Sequence, residues 1–211
     1  MSWAMADEIE KGLATFEQRS RTEARSLPII KEYIISLDAT MDLEDADIET
    51  QRRDDIDLFW TRAHKGKTTT ISIEVKGDTT IQNSGNFAFE TISNEIGFTQ
   101  GCFMRSKADY FYYFSIETNE LWIFPLAPVR EWFIREVGSR PNRFVSFRTH
   151  TIRPNGSVYV TRGYLVPVRD VERAFGSELR YRQIQRPVPT DAEIETIIGS
   201  AFSYTILEKS E

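Results

Sequence analysis

The feature that most restricts what this chain can fold into is a change of period at Asp54. Through "DDIDLFW" and "TTTISIEVK", on either side of "HKGK" (His64 to Lys67), apolar and polar residues alternate at every second position. A period of two belongs to a β-strand with one buried face, and a short Lys-Gly turn between two such runs predicts a β-hairpin. Whether the loop is Lys65-Gly66 alone or all four residues from His64 to Lys67, its centre is the same, so the register is fixed. Ile56 then pairs with Val75, Leu58 with Ile73 and Trp60 with Ile71, giving one wholly apolar face. The other face gathers Asp55, Asp57, Glu74 and Lys76, with Asp57 opposite Glu74 and Asp55 opposite Lys76.

Directly opposed residues in such a ladder have Cβ atoms about 4.5–5.5 Å apart. Two carboxylates that close repel unless a proton or a cation lies between them. A hard divalent cation such as Mg²⁺ takes oxygen ligands, commonly one or two carboxylates completed by water and phosphate oxygen. A lysine beside them stabilises charge on a phosphate or orients the attacking water. Those parts together suit phosphodiester hydrolysis.

The residues that follow carry a resemblance. Asp57, then Glu74-Val75-Lys76 on the next strand, is similar to the motif of the PD-(D/E)xK nuclease superfamily. The later segments "SGNFAFE" and "GCFMRSKADYFYYF" resemble a nuclease-like group common in mobile elements and bacterial genomes, in which "EVK.D" precedes a "GN…E" segment and a "G…AD" strand. The likeness covers about Asp55 to Phe114. It implies a restriction-endonuclease-like core, a central mixed β-sheet flanked by helices. It also implies Asp57 and Glu74 as ligands of Mg²⁺ or Mn²⁺, Lys76 as the catalytic lysine, and DNA rather than RNA as substrate. Asp55 is the alternative first ligand, and Glu90, on the polar side of "NFAFE", is an accessory candidate. The superfamily often adds a glutamate from its first helix, for which Glu23 and Glu32 both qualify. Many members cut two strands as homodimers. One departure stands out: the superfamily usually has a clear helix after the E-x-K strand, where "TISNEIGFTQG" offers at most a short one.

Elsewhere the pattern predicts helices over Ala6 to about Arg19 and from Ser26, as N-cap with Pro28 in the first turn, to Leu37. The acidic "DATMDLEDADIE" reads as an exposed connection, with a helical turn as an alternative within it. A strand through Phe87 and Phe89 follows, then a hairpin of "ADYFYYFS" and "ELWIFP" and a helix over "APVREWFIREV". A further hairpin pairs "RFVSFRTH" with "SVYVTRGYLV" around "PNG". The helix "VRDVERAFG" ends at Gly176, and a last one is capped by Thr190 and Glu193 in capping-box spacing. Mixed strands and helices joined by hairpins give an α+β (mixed α/β) class. All of residues 1–211 read as one nuclease-like domain, with a core over about 20–137 and the hairpin and helices of 138–211 as an extension.

Charge is uneven. The net value is −6, yet Arg130 to Arg186 holds 12 arginines and no lysine against 5 acidic residues, while Asp38 to Asp57 holds 9 acidic residues against 2 basic ones. Guanidinium pairs bidentately with phosphate, so Arg148, Arg153 and Arg162 are the candidate backbone contacts of a nucleic acid. His150, beside them, suits phosphate contact and plain exposure equally, and His64 falls in the turn. A single cysteine, Cys102, excludes an intrachain disulfide or a cysteine metal cage and reads as a small buried residue. No apolar run reaches membrane-spanning length and the first residues lack a signal-peptide pattern, so a cytoplasmic, membrane-free protein is expected. Two readings compete with a working nuclease: a nuclease-fold module that binds nucleic acid without cutting, and a protein-interaction domain.

Overall fold

The computed structural model describes residues 9–153 and 155–185, with side chains from Thr22 onward. In chain order the elements are β1 (Ile9–Thr15), α1 (Phe16–Ile35), β2 (Thr40–Asp45), α2 (Ile48–Asp54), β3 (Leu58–His64), β4 (Lys67–Asp78), α3 (Ile81–Ser84), β5 (Asn86–Asn94) and β6 (Thr99–Gln100). There follow α4 (Cys102–Arg105), β7 (Tyr110–Ser115), β8 (Glu120–Pro125), α5 (Leu126–Ser139), β9 (Val145–Ile152), β10 (Val158–Pro167), α6 (Val168–Phe175) and β11 (Arg180–Gln183). The helix expected at Thr190 lies outside the described residues. The architecture is mixed α+β.

Two sheets carry it. A six-stranded mixed sheet has the order β11-β8-β7-β4-β3-β2, in which β4 and β7 run parallel and the other neighbours antiparallel. A five-stranded sheet has the order β1-β9-β10-β5-β6, with β1 parallel to β9. The arginine-rich hairpin read as an extension therefore supplies two inner strands of a sheet that also holds β5.

The register of the central hairpin follows from its turn. Lys65 and Gly66 both have positive φ, 49° and 73°, the two-residue geometry whose twist matches paired strands. Leu58 faces Ile73, Trp60 faces Ile71 and His64 faces Lys67. One expectation fails below Leu58. Ile56 does not share the face of Leu58 and Trp60 but packs in the opposite core, with Phe87, Phe103 and Phe111. The cause is Asp55, which closes α2 in a left-handed conformation at φ 48° and turns the chain out of the ladder. Asp55 consequently does not oppose Lys76.

Three other expectations are corrected. Residues 9–15 form a strand rather than a helix, drawn into the ladder with β9. Helix α1 then runs from Phe16 to Ile35 without a break at Ser26. Ser26 caps nothing: its hydroxyl donates to the Thr22 carbonyl at 2.8 Å, inside the helix. Burial of Ile29, Ile30 and Ile34 against the mixed sheet outweighs the local stop signal and the interior Pro28. The acidic "connection" is an edge strand followed by a helix. Charged Asp42, Glu44 and Asp45 suit β2 to an edge open to water, and Asp47 caps α2 by accepting from the Thr50 N–H at 2.6 Å.

Each face of the mixed sheet has its own core. On one, Leu58, Ile71, Ile73, Tyr112 and Phe114 pack under α1. On the other, an aromatic cluster joins the two sheets, with Phe89 stacked on Phe103 at 3.9 Å and Phe87 edge-on to Tyr113 at 4.9 Å between ring centres. The "DYFYYF" aromatics are thus core residues.

Candidate active site

Strand β4 outlasts its partner. The β3 ladder ends at Leu58, whereas β4 continues to Asp78 along β7 on its other side. The Asp57 N–H still reaches the Ile73 carbonyl at 2.9 Å, one residue out of register. Its carboxylate then accepts the Val75 N–H at 2.7 Å, taking the place of a strand carbonyl. Asp57 is thereby fixed at the end of the hairpin, beside Glu74.

Strand alternation puts Glu74, Lys76 and Asp78 on one face of β4. This face opens into a cleft of about 520 Å³ lined also by Glu23, Asp55, Asp57, Glu90 and Arg105. Helix α1 packs on the opposite face of β4 and meets that strand at Gly77, where a Cβ would lie 2.1 Å from Ser26 Oγ and 3.0 Å from the Thr22 carbonyl. Only glycine lets the helix approach so closely, and that approach brings Thr22 and Glu23 to the cleft wall. Glu23, and not Glu32, is therefore the helix glutamate at the site.

The carboxylates differ sharply in their partners. Asp55 is gripped by the Arg105 guanidinium through both oxygens. Glu90 holds Lys76, with Nζ to Oε1 at 2.7 Å and both side chains largely buried. Asp78 is structural: it accepts from the Tyr113 hydroxyl, the Thr80 hydroxyl and the Ile81 N–H, anchoring the end of β4. By contrast, no ion pair joins Asp57 or Glu74 to another described residue. Burial pushes the Asp57 carboxyl up to about 7, against the Val75 N–H, with the charges of Glu23, Asp55 and Asp45 adding to the rise. Glu74 is pushed well above its ordinary value, first by burial and then by Asp57 and Asp55, with Lys76 opposing. Two adjacent carboxyls that cannot both ionise in isolation are a site short of positive charge.

No protein-family model matches the chain, and no curated protein or solved structure matches it either. The reading of the cleft therefore rests on its own geometry and chemistry.

Asp57 and Glu74 are the cleft carboxyls that could hold a cation. Among the described residues no three His, Cys, Asp or Glu side chains form a metal cage, but Mg²⁺ rarely uses one, being held by one or two carboxylates with water and substrate oxygen. Asp57 and Glu74, like Glu23 on the cleft wall, make no ion pair with another described residue. Cys102 also lines the cleft, yet burial pushes its thiol well above the ordinary value, which keeps it protonated and unsuited to attack.

Of the candidate phosphate arginines, Arg148 and Arg162 are turned to another acid, and Arg153 lies over a ring that lines the cleft. Arg148 Nη2 and Arg162 Nη1 both meet the Glu95 carboxylate, at 2.7 and 3.1 Å. On β9, Arg148 alternates with Phe147 and Thr149, which line the cleft, so its side chain leaves the opposite face. Arg153 lies over the Tyr159 ring at 4.9 Å. His64 is exposed in the turn and His150 is half-buried on β9. Sequence reasoning missed Arg105 and the Gly77 contact, since neither the arginine in "FMRSK" nor a glycine within a strand carries a local signature.

Proposed function

We propose that this chain is a divalent-metal-dependent phosphodiesterase acting on DNA, with a site of the PD-(D/E)xK kind. The observation that carries the reading is the convergence, at the unpaired end of one hairpin, of two carboxyls without counter-ions and a lysine within one cleft. A mixed sheet with α1 packed on one face and β7 parallel to β4 supports it, being compatible with a restriction-endonuclease-like core, although β5 and β6 stand where that superfamily usually has a clear helix.

In this reading Asp57 and Glu74 hold Mg²⁺ or Mn²⁺. When bound, the ion supplies Lewis acidity to the scissile phosphate and lowers the pKa of an attacking water. Lys76 offsets charge that builds on the phosphate oxygens in the transition state. Glu90 holds that ammonium, and Arg105 keeps Asp55 neutralised at the wall, so that the acidic cleft admits an anionic substrate once the cation is in place.

The test is cleavage of plasmid, single-stranded and branched DNA with Mg²⁺ or Mn²⁺, comparing wild type with Lys76→Ala and Glu74→Gln. Metal-dependent cutting by the wild type, lost in both variants, is the expected result. No cutting of any substrate, with salt-sensitive DNA binding that survives Glu74→Ala, would replace the enzyme by a binding module of the same fold.

A further inference from the structure

The hairpin joining β5 to β6 ends in a tip that folding alone does not explain. Ile96 is 76% and Phe98 88% exposed, on either side of Gly97, although large apolar side chains in a turn gain nothing from water. The tip is tightly built. Asn94 Oδ1 accepts from the Ile96 and Gly97 N–H groups at 3.2 and 3.3 Å, and the Glu95 N–H donates to the Val160 carbonyl at 2.9 Å. The Glu95 carboxylate is clamped by Arg148 and Arg162. Phe98 is held at φ 49°, in the left-handed region where glycine is unstrained and a side chain is costly. A rigid turn thus accepts backbone strain while presenting a ring to solvent.

The stem of the same hairpin forms part of the cleft wall, through Ser93 and Gln100. At about 3.3 Å per residue the tip stands roughly 7–10 Å beyond those positions, equivalent to about two or three nucleotides along a strand. A planar apolar ring at that distance has the chemistry that stacks on a nucleobase and inserts between base steps.

We infer that the Ile96–Phe98 tip is a wedge that stacks on an unpaired base several nucleotides from the scissile phosphate, selecting forked or frayed DNA over continuous duplex. This rests on the phosphodiesterase reading of the cleft for the position of that phosphate. It is tested by binding, separately from cutting. Fluorescence anisotropy in Ca²⁺ buffer compares a forked with a blunt duplex of equal length, and 2-aminopurine at the fork reports stacking. Wild type is expected to prefer the fork by on the order of ten-fold and to quench the probe. Phe98→Ala loses both while its duplex affinity and melting temperature stay unchanged, and Phe98→Trp retains both. Equal wild-type affinity for fork and duplex, or an unchanged preference in Phe98→Ala, overturns the wedge. So does Phe98-dependent binding to phosphatidylserine vesicles without DNA discrimination. Fork preference without any cleavage leaves the wedge standing and removes the nuclease reading, whereas cleavage without fork preference does the reverse.

Discussion

Replacing Asp57 by asparagine removes one charge from the carboxyl pair but keeps an oxygen to accept the Val75 N–H. Folding raises this carboxyl from 3.8 to about 7. At about 1.36 kcal/mol per pH unit, the ionised group costs the metal-free fold about 4 kcal/mol above pH 7. Asp57 is half-buried, so solvent at the cleft mouth reduces this, and about 2 kcal/mol is the working figure. Because the folded value is raised, the folded chain retains a proton that the unfolded chain has already lost. The contribution to stability is complete below about pH 4 and is lost as pH rises through about 7. Glu74 acts in the same direction.

Urea unfolding without divalent metal, at about pH 5 and pH 8, measures the effect. Wild type should lose on the order of 1 kcal/mol through Asp57 between the two, and Asp57→Asn distinctly less. At pH 8 the variant should therefore be the more stable protein, by about 4–8 °C in melting temperature for a chain of this size. Mg²⁺ at about ten times its Kd should return about 1.4 kcal/mol to the wild type and much less to the variant. A variant less stable than wild type at pH 8 without metal would refute the claim that burial makes the ionised Asp57 carboxylate costly to the fold.

Gly77→Ala should cost about 1–3 kcal/mol by forcing α1 from β4, and Ser26→Ala in the same chain should recover part of it, since Ser26 Oγ is the atom met at 2.1 Å; urea titrations of the two single variants and the double variant read the coupling. Glu90→Gln removes the partner of a largely buried Lys76. Cleavage should fall by on the order of ten- to hundred-fold through misplacement of the ammonium, while Mg²⁺ affinity by calorimetry stays within about two-fold of wild type. Tyr113→Phe deletes the hydroxyl that donates to Asp78 and accepts from the Ala88 N–H at 2.9 Å. A loss of about 1–3 kcal/mol is expected, with faster hydrogen exchange at the Ala88 amide.

What the sequence reveals here follows the range of the forces involved. The hairpin was legible because its register depends on a local turn, and Lys65-Gly66 adopts the backbone that such turns require. The face of Ile56 was not, because it depends on a left-handed Asp55 that closes a helix hidden in an acidic run. The choice between Glu23 and Glu32 was equally out of reach. It is made by Gly77, which brings the Thr22–Ser26 turn of α1 against β4, and Glu32 lies nine residues on, about 13 Å further along the axis. Arg148 and Arg162 read as phosphate contacts because their shared counter-ion, Glu95, is more than fifty residues away in sequence.

The position of the site follows from where the sheet stops. Had β3 continued beside β4 past Leu58, a backbone carbonyl would have met the Val75 N–H and the edge would have been closed. The chain instead turns out at Asp55, and a side-chain carboxylate takes over that hydrogen bond. That substitution fixes a charge beside Glu74 without further machinery. It also leaves the last turn of β4 supported on one side by β7 alone, which gives α1 room to descend onto Gly77 and β5 room to bring Glu90 to Lys76. The repulsion between Asp57 and Glu74 is thus a cost of ending the ladder early. A divalent cation would turn that cost into binding energy, so any variant that restores the ladder through Asp57 should stabilise the metal-free chain and abolish its response to metal.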